Sequence, residues 1–182
     1  MIKQWMWLPL CLSVMGLGAC TAKVINYSPC IMVQPGAKIA VVPFSNNTET
    51  PLAGERAMSI AAGVLESRGM TNLVLYQSSE HGKVLFPGMN KVDSEKQLGA
   101  WAKRMHARYL VTGSVNEWSY KVGLDGEPVV GVSIQLIDLV CGRIVWTSVG
   151  SLSGGSRVAV STTAQQLMNM MLSGLSCPRN LP

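Results

Sequence analysis

Hydrophobic and polar positions change period several times between residues 38 and 175, and each change predicts an element. Residues 38–44 (KIAVVPF) are an unbroken apolar run, the pattern of a strand covered on both faces. From Gly54 onward Ala57, Ile60, Ala61, Val64 and Leu65 recur at helical spacing, and Gly69 stands where a cap glycine ends a helix. Residues 72–76 (NLVLY) read as a second strand, followed by a long loop over 77–92. Ser94 and Gln97 form a capping-box pattern ahead of a second helix, whose apolar stripe is Leu98, Trp101, Ala102 and Met105. Three β-rich stretches follow, 108–120, 129–139 and 143–152, joined by turns at 123–128 and 141–142. In the middle stretch Val130, Val132, Ile134 and Leu136 alternate with Gly131, Ser133 and Gln135, so one face is core and the other polar. A last helix is predicted from about Ser156, its N-cap, with Ala164, Leu167, Met168, Met171, Leu172 and Leu175 as its stripe, ending at Gly174 and Pro178. The order β-α-β-α-β-β-β-α predicts an α/β (α+β) domain: a mixed β-sheet with helices packed on it.

The N-terminus changes the picture from a bare domain to an anchored one. Lys3 precedes an apolar run over 5–17, which ends in Leu17-Gly18-Ala19-Cys20. This is a charged n-region, a short h-region and a small-residue cleavage site. The run falls short of the ~20 apolar residues a spanning helix needs. Leu-Gly-Ala-Cys resembles the bacterial lipobox, which implies a diacylglycerol on the Cys20 thiol, cleavage before it, and an acyl chain on the new N-terminus. Several chains on one residue hold a protein to a bilayer far better than one. Thr21 after the cysteine, rather than Asp, implies the outer membrane. The expected organisation is a signal peptide over 1–19, a lipidated Cys20 with a tether to residue 37, and one periplasmic domain over 38–182.

Net charge is +5 for the full sequence. Removing residues 1–19 takes away only Lys3, leaving fourteen Lys and Arg against ten Asp and Glu. Lys103, Arg104 and Arg108 form the one tight basic group, at a predicted helix end where cations suit the dipole, and nucleic acid is not expected as a partner. Cys30, Cys141 and Cys177 allow at most one internal disulfide in a compartment that permits it, and their pairing stays open. No metal-ligand spacing occurs. The two histidines, His81 and His106, lie in a loop and at a helix end without a nucleophile elbow nearby, and Gly150, Gly154 and Gly155 fit no phosphate-binding spacing. No enzyme and no cofactor beyond the Cys20 lipid is expected. Trp118 and Tyr120 share one side of the third β-stretch near its end, where an amphipathic ring suits a membrane or subunit contact.

The runs KIAVVPF, ARYLVTGSV (107–115), GVSIQLID (131–138) and GRIVW (142–146) resemble the superfamily that contains the TolB N-terminal domain and the CsgG curli-secretion lipoprotein. With the lipobox and the EPVVGVS segment, the chain most resembles the PelC family of outer-membrane lipoproteins of Pel exopolysaccharide export. The resemblance implies a homo-oligomeric ring of about twelve copies on the periplasmic face of the outer membrane. It also implies an acidic pore that guides a cationic polysaccharide toward an outer-membrane β-barrel. Glu117, Asp125 and Glu127, at strand ends and turns, are then the candidate lumen carboxylates. The alternative is a lipoprotein that binds and activates a cell-wall synthase; a tether of ~17 residues spans about 55–60 Å, short for crossing the periplasm. A CsgG-like channel would need membrane-spanning hairpins of ~10 residues per strand, for which no segment is spare.

Overall fold

The computed structural model describes residues 22–29, 31–77, 95–122 and 126–176. Its elements run β1 (Lys23–Tyr27), β2 (Ile31–Met32), β3 (Ile39–Val41), β4 (Ser45–Asn46), α1 (Ala53–Ser67), β5 (Leu73–Leu75), α2 (Glu95–Arg104), β6 (Tyr109–Tyr120), β7 (Pro128–Asp138), β8 (Arg143–Ser153), α3 (Val160–Met171) and β9 (Leu175–Ser176). One mixed sheet has the order β1-β8-β7-β6-β3-β5, with β4 also paired to β6, and β2 pairs β9 in a separate two-stranded piece. β3 is parallel to both β5 and β6, whereas β6, β7, β8 and β1 are antiparallel neighbours. This is the predicted mixed sheet with helices.

Topology decides which face each helix covers. β5 lies on one side of β3 and β6 on the other, so two right-handed crossovers must place α1 and α2 on opposite faces. Accordingly Ile39 and Val41 pack with α1 and α3 in the larger core, and Ala40 and Val42 pack with Leu98, Trp101 and Ala102 of α2 in the smaller one. The unbroken apolar run at 38–44 is explained by this double cover. Trp101 meets Tyr76 edge-to-face, with ring centroids 5.0 Å apart.

Several expectations are corrected. Ser156 is not the N-cap of the last helix: α3 starts at Val160, after a turn in which Arg157 takes φ 69°. The cap position holds Ala159, and the Val160 N–H is satisfied instead by the Tyr120 hydroxyl oxygen at 3.1 Å. α3 ends at Met171, and Leu175 belongs to β9. Gly150 sits inside β8, where the absent side chain lets Leu167 and Met171 of α3 approach the sheet. Met105 lies beyond the end of α2 and is partly exposed. Finally, residues 23–27, read as tether, form edge strand β1 along β8, from Lys23 opposite Leu152 to Tyr27 opposite Ser148. Cys20, the signal segment, Cys30, Cys177, His81, Ser94 and Asp125 lie outside the described residues.

Candidate functional site: the bare half of the sheet

The α2 cluster covers β3, β5 and the adjoining ends of β6 and β7, reaching Leu110 and Ile137, and no described element covers the remainder of that face. The bare half is built from Val24 and Asn26 of β1, Ser151, Val149 and Thr147 of β8, Gly131, Ser133 and Gln135 of β7, and Thr112 and Ser114 of β6, which share a face by strand register. The polar alternation read in the 129–139 stretch is this face. Serines there are paired: the Ser114 and Ser133 hydroxyls are 2.7 Å apart, and Ser114 also donates to Asn116 Oδ1 at 3.1 Å.

A trough of about 400 Å³ opens at the end of this face near β1's start, between Asn116, Glu117, Gly131, Val149 and Ser151. Two sequence features make it. Asn116 is a one-residue bulge: register passes from Val115 opposite Val132 to Glu117 opposite Gly131. The extra residue inverts the alternation of β6, so Glu117 turns to the open face while Trp118 turns inward. Gly131 then floors the trough, because a Cβ there would meet the Glu117 Cβ at 3.2 Å. The alternation in β7 marks this polar face in the sequence, whereas the bulge at Asn116 leaves no such signal.

The bulge corrects the contact expected of Trp118. Its side chain is 2% exposed and belongs to the main core under α1, so it offers no surface to a membrane. Tyr120 remains half-exposed, with its hydroxyl committed to α3. Of the candidate carboxylates, the two among the described residues, Glu117 and Glu127, do not cluster within a protomer. Glu117 borders the trough; Glu127 pairs with Lys121 at 3.4 Å; the four residue steps from Glu117 to Lys121 span roughly 13 Å of extended chain. Among the described residues no group of three His, Cys, Asp or Glu is placed to hold a metal ion. Cys141 is a free, exposed thiol in the β7–β8 turn.

Beside that turn lies the shorter of the two ion pairs among the described residues. Arg108 Nη2 donates to Asp138 Oδ2 at 2.7 Å, and Asp138 Oδ1 accepts from the Val140 N–H at 2.8 Å. Partial burial works to raise the Asp138 pKa, yet the backbone N–H groups of Val140 and Cys141 and the Arg108 guanidinium outweigh it and hold the carboxyl below its usual range. A folded-state pKa below the unfolded one contributes stability above the unfolded carboxylate range, and this is lost as pH falls through the folded value. Asp138→Asn is therefore expected to lower the denaturant midpoint at pH 7, with the gap to wild type closing in acid as the wild-type carboxyl takes up its proton. Parallel urea titrations at pH 7 and in acid check it; a gap independent of pH would rule out the carboxylate as its source.

No protein-family model matches the sequence, and no curated protein matches it. Solved structures do. The PelC dodecamer from Paraburkholderia phytofirmans is 35% identical, covers 87% of this chain and 100% of its own, and superposes with a TM-score of 0.73. A point variant of that dodecamer gives 35%, 86%, 99% and 0.73. The lipoprotein GNA1162 from Neisseria meningitidis is 16% identical over 71% of this chain and 91% of its own, with a TM-score of 0.51, a similarity of fold alone. Sequence identity of 35% over the whole of the solved Paraburkholderia chain and a common fold together place the conclusion beyond fold: the chain belongs to the PelC family.

Proposed function

We propose that this chain is a non-enzymatic outer-membrane lipoprotein, lipidated on Cys20, that assembles into a periplasmic ring of about twelve copies. The ring acts as a collar beneath an outer-membrane β-barrel through which a cationic exopolysaccharide leaves the cell. Kinship with a protein that forms a dodecamer supports the ring. The observation that carries the placement is β1. The Ala22 carbonyl accepts the Ser153 N–H at 3.0 Å, so the fold begins two residues after Cys20. Two extended residues reach about 7 Å. An acylated Cys20 therefore presses this end of the sheet, with the half-exposed Tyr120 and the fully exposed Val122 of the β6–β7 hairpin, against the bilayer. A collar needs that proximity; an activator reaching a synthase across the periplasm needs a long tether, and β1 shortens the one available. Glu127 and Asp125 in the hairpin turn and Glu117 at the trough supply the carboxylates that attract a cationic polymer.

The test is Cys20→Ser in the producing bacterium. The variant is expected to leave the membrane fraction and to stop polymer reaching the cell surface, as deletion of the chain does. A companion variant with Glu117, Asp125 and Glu127 all changed to Ala should stay in the membrane and export less polymer. Normal export after deletion, with altered cell-wall cross-linking instead, would replace the collar with the synthase activator.

A further inference from the structure

We propose that the end of the sheet farthest from Cys20 is a docking surface for an acidic, aliphatic-rich segment of a protein partner in the periplasm. The direction in which this end faces rests on the lipid-anchor reading; its chemistry does not. β1 begins at Lys23, opposite Leu152, and Arg143 lies nine residues earlier on β8, so the two ends of the sheet are about 30 Å apart. Pairing sets a row across the far end. Arg143 of β8 stands beside Asp138 of β7, Asp138 beside Tyr109 of β6, and the Arg108 N–H donates to the Lys38 carbonyl at 2.8 Å. Lys38 Nζ in turn donates to the Met105 carbonyl at 3.2 Å, which brings the end of α2, with Lys103 and Arg104, into the same row.

Positive charge in this row is largely uncompensated. Asp138 is the one carboxylate on segments 103–109 and 138–144, and it is committed to Arg108. Lys103, Arg104 and Arg143 are exposed and meet no carboxylate among the described residues. The helix dipole accounts for Lys103 and Arg104. It does not account for Lys38 and Arg143, which stand at strand ends, where the net dipole is small. Glu49, Glu55, Glu117 and Glu127 lie toward the opposite end, in the loop and first turn of α1, along β6 past its bulge and at the β6–β7 hairpin. A cationic polymer is therefore repelled by the far end, and an anionic partner is drawn to it. Apolar side chains decide which anion fits. Val140 is 74% exposed, Ile144 54% and Met105 36%, each next to or within this basic row. Such a mixture suits carboxylates interleaved with aliphatic side chains, as on an acidic amphipathic helix, better than a bare polyanion. Segments 103–108 and 138–144 hold no Phe, Tyr or Trp, so no flat ring is offered to a sugar. Copies held side by side at one membrane present this end together, and weak single contacts then add up through avidity.

The probe is a fluorescent helical peptide of about fourteen residues, roughly 20 Å long, with Glu and Leu sharing one face, and a counterpart with Gln in place of each Glu. Anisotropy is measured with detergent-solubilised, lipidated, full-length protein. The acidic peptide is expected to bind, about ten-fold or more tighter than the Gln peptide, and to weaken as salt rises. Lys103→Glu with Arg104→Glu and Arg143→Glu should cost about ten-fold or more in affinity, because three attractions become repulsions. Val140→Ser with Ile144→Ser should cost about three-fold or more through lost apolar contact. Reversing Lys23, Lys96 and Arg157 instead removes the same charge from elsewhere and should change little. Equal losses from the two triple variants, or none from the serine pair, would overturn the assignment. In the producing bacterium the first triple variant is expected to stay in the membrane fraction and to export less polymer; unchanged export would overturn it too. Phosphatidylglycerol vesicles that bind Cys20→Ser protein through Lys103, Arg104 and Arg143 more tightly than the peptide does would give this end to a membrane surface instead. Failure of the anchor reading shows separately, as Cys20→Ser protein that remains in the membrane fraction while the peptide still binds.

Discussion

Trp146→Ala should lower the unfolding free energy by about 3–5 kcal/mol, the range for deleting a large aromatic from a core that cannot collapse. Trp146 is among the largest fully buried side chains, on the helix-covered face of β8 opposite Leu136. Its ring abuts Gly174, where an added Cβ would lie 3.1 Å from Nε1, in the 3-10 turn Leu172–Gly174 that follows α3. The strand and the turn are both fixed by backbone pairing, so the space left by an indole stays largely empty. The indole nitrogen has no hydrogen-bond partner among the described residues, so the loss is one of packing. A thermal melt at fixed protein concentration should show a fall of roughly 10 °C or more. A loss under about 1 kcal/mol would mean that the helix and the sheet close over the gap.

Three glycines should respond to alanine in three different ways. At Gly113, in β6, a new Cβ would overlap the Ser133 carbonyl oxygen and press on the Phe44 ring. The obstacle is the backbone of the neighbouring strand, which cannot turn aside, and Gly113→Ala is expected to cost about 1–3 kcal/mol or more. Gly131→Ala meets mainly the Glu117 side chain, which can shift, and a small loss is expected along with a shallower trough. Gly63, exposed in α1, has nothing within 4 Å of the added atom, and Gly63→Ala should stabilise by about 0.5–1 kcal/mol through the backbone entropy it removes. Urea midpoints of the three variants under one set of conditions check the order. Equal effects at Gly113 and Gly63 would contradict the strand contact.

How much of this was legible depended on what each segment buries. α1 was readable because its buried residues follow a 3.6 period and Gly69, at φ 89°, stops it. β7 was readable because its core face alternates without interruption. β1 was not, since its residues are mostly exposed: it is held by backbone pairing along β8, which leaves no hydrophobic period in the sequence. The start of α3 was misplaced because its first N–H is capped by Tyr120, forty residues away, while Ser156 offered the expected local cap. The parity change at Asn116 follows the same rule. A bulge is a property of the strand pair, and the order N-E-W alone does not say which side each residue takes. The candidate site suffered most, because a bare face is defined by what fails to cover it.

β1 also determines how the molecule resists being pulled. A force applied at residue 20 enters the fold along the axis of the strand, parallel to β8 and at right angles to the ladder bonds. The five paired residues, extended by the bonds Ser153 to Ala22 and Ser28 to Thr147, are then loaded together in shear rather than opened one at a time. A pull on the N-terminal end along this axis would have to break the whole ladder at once. The same strand peels easily when drawn sideways, away from the sheet, so the N-terminal end is stiff along the strand axis and compliant across it.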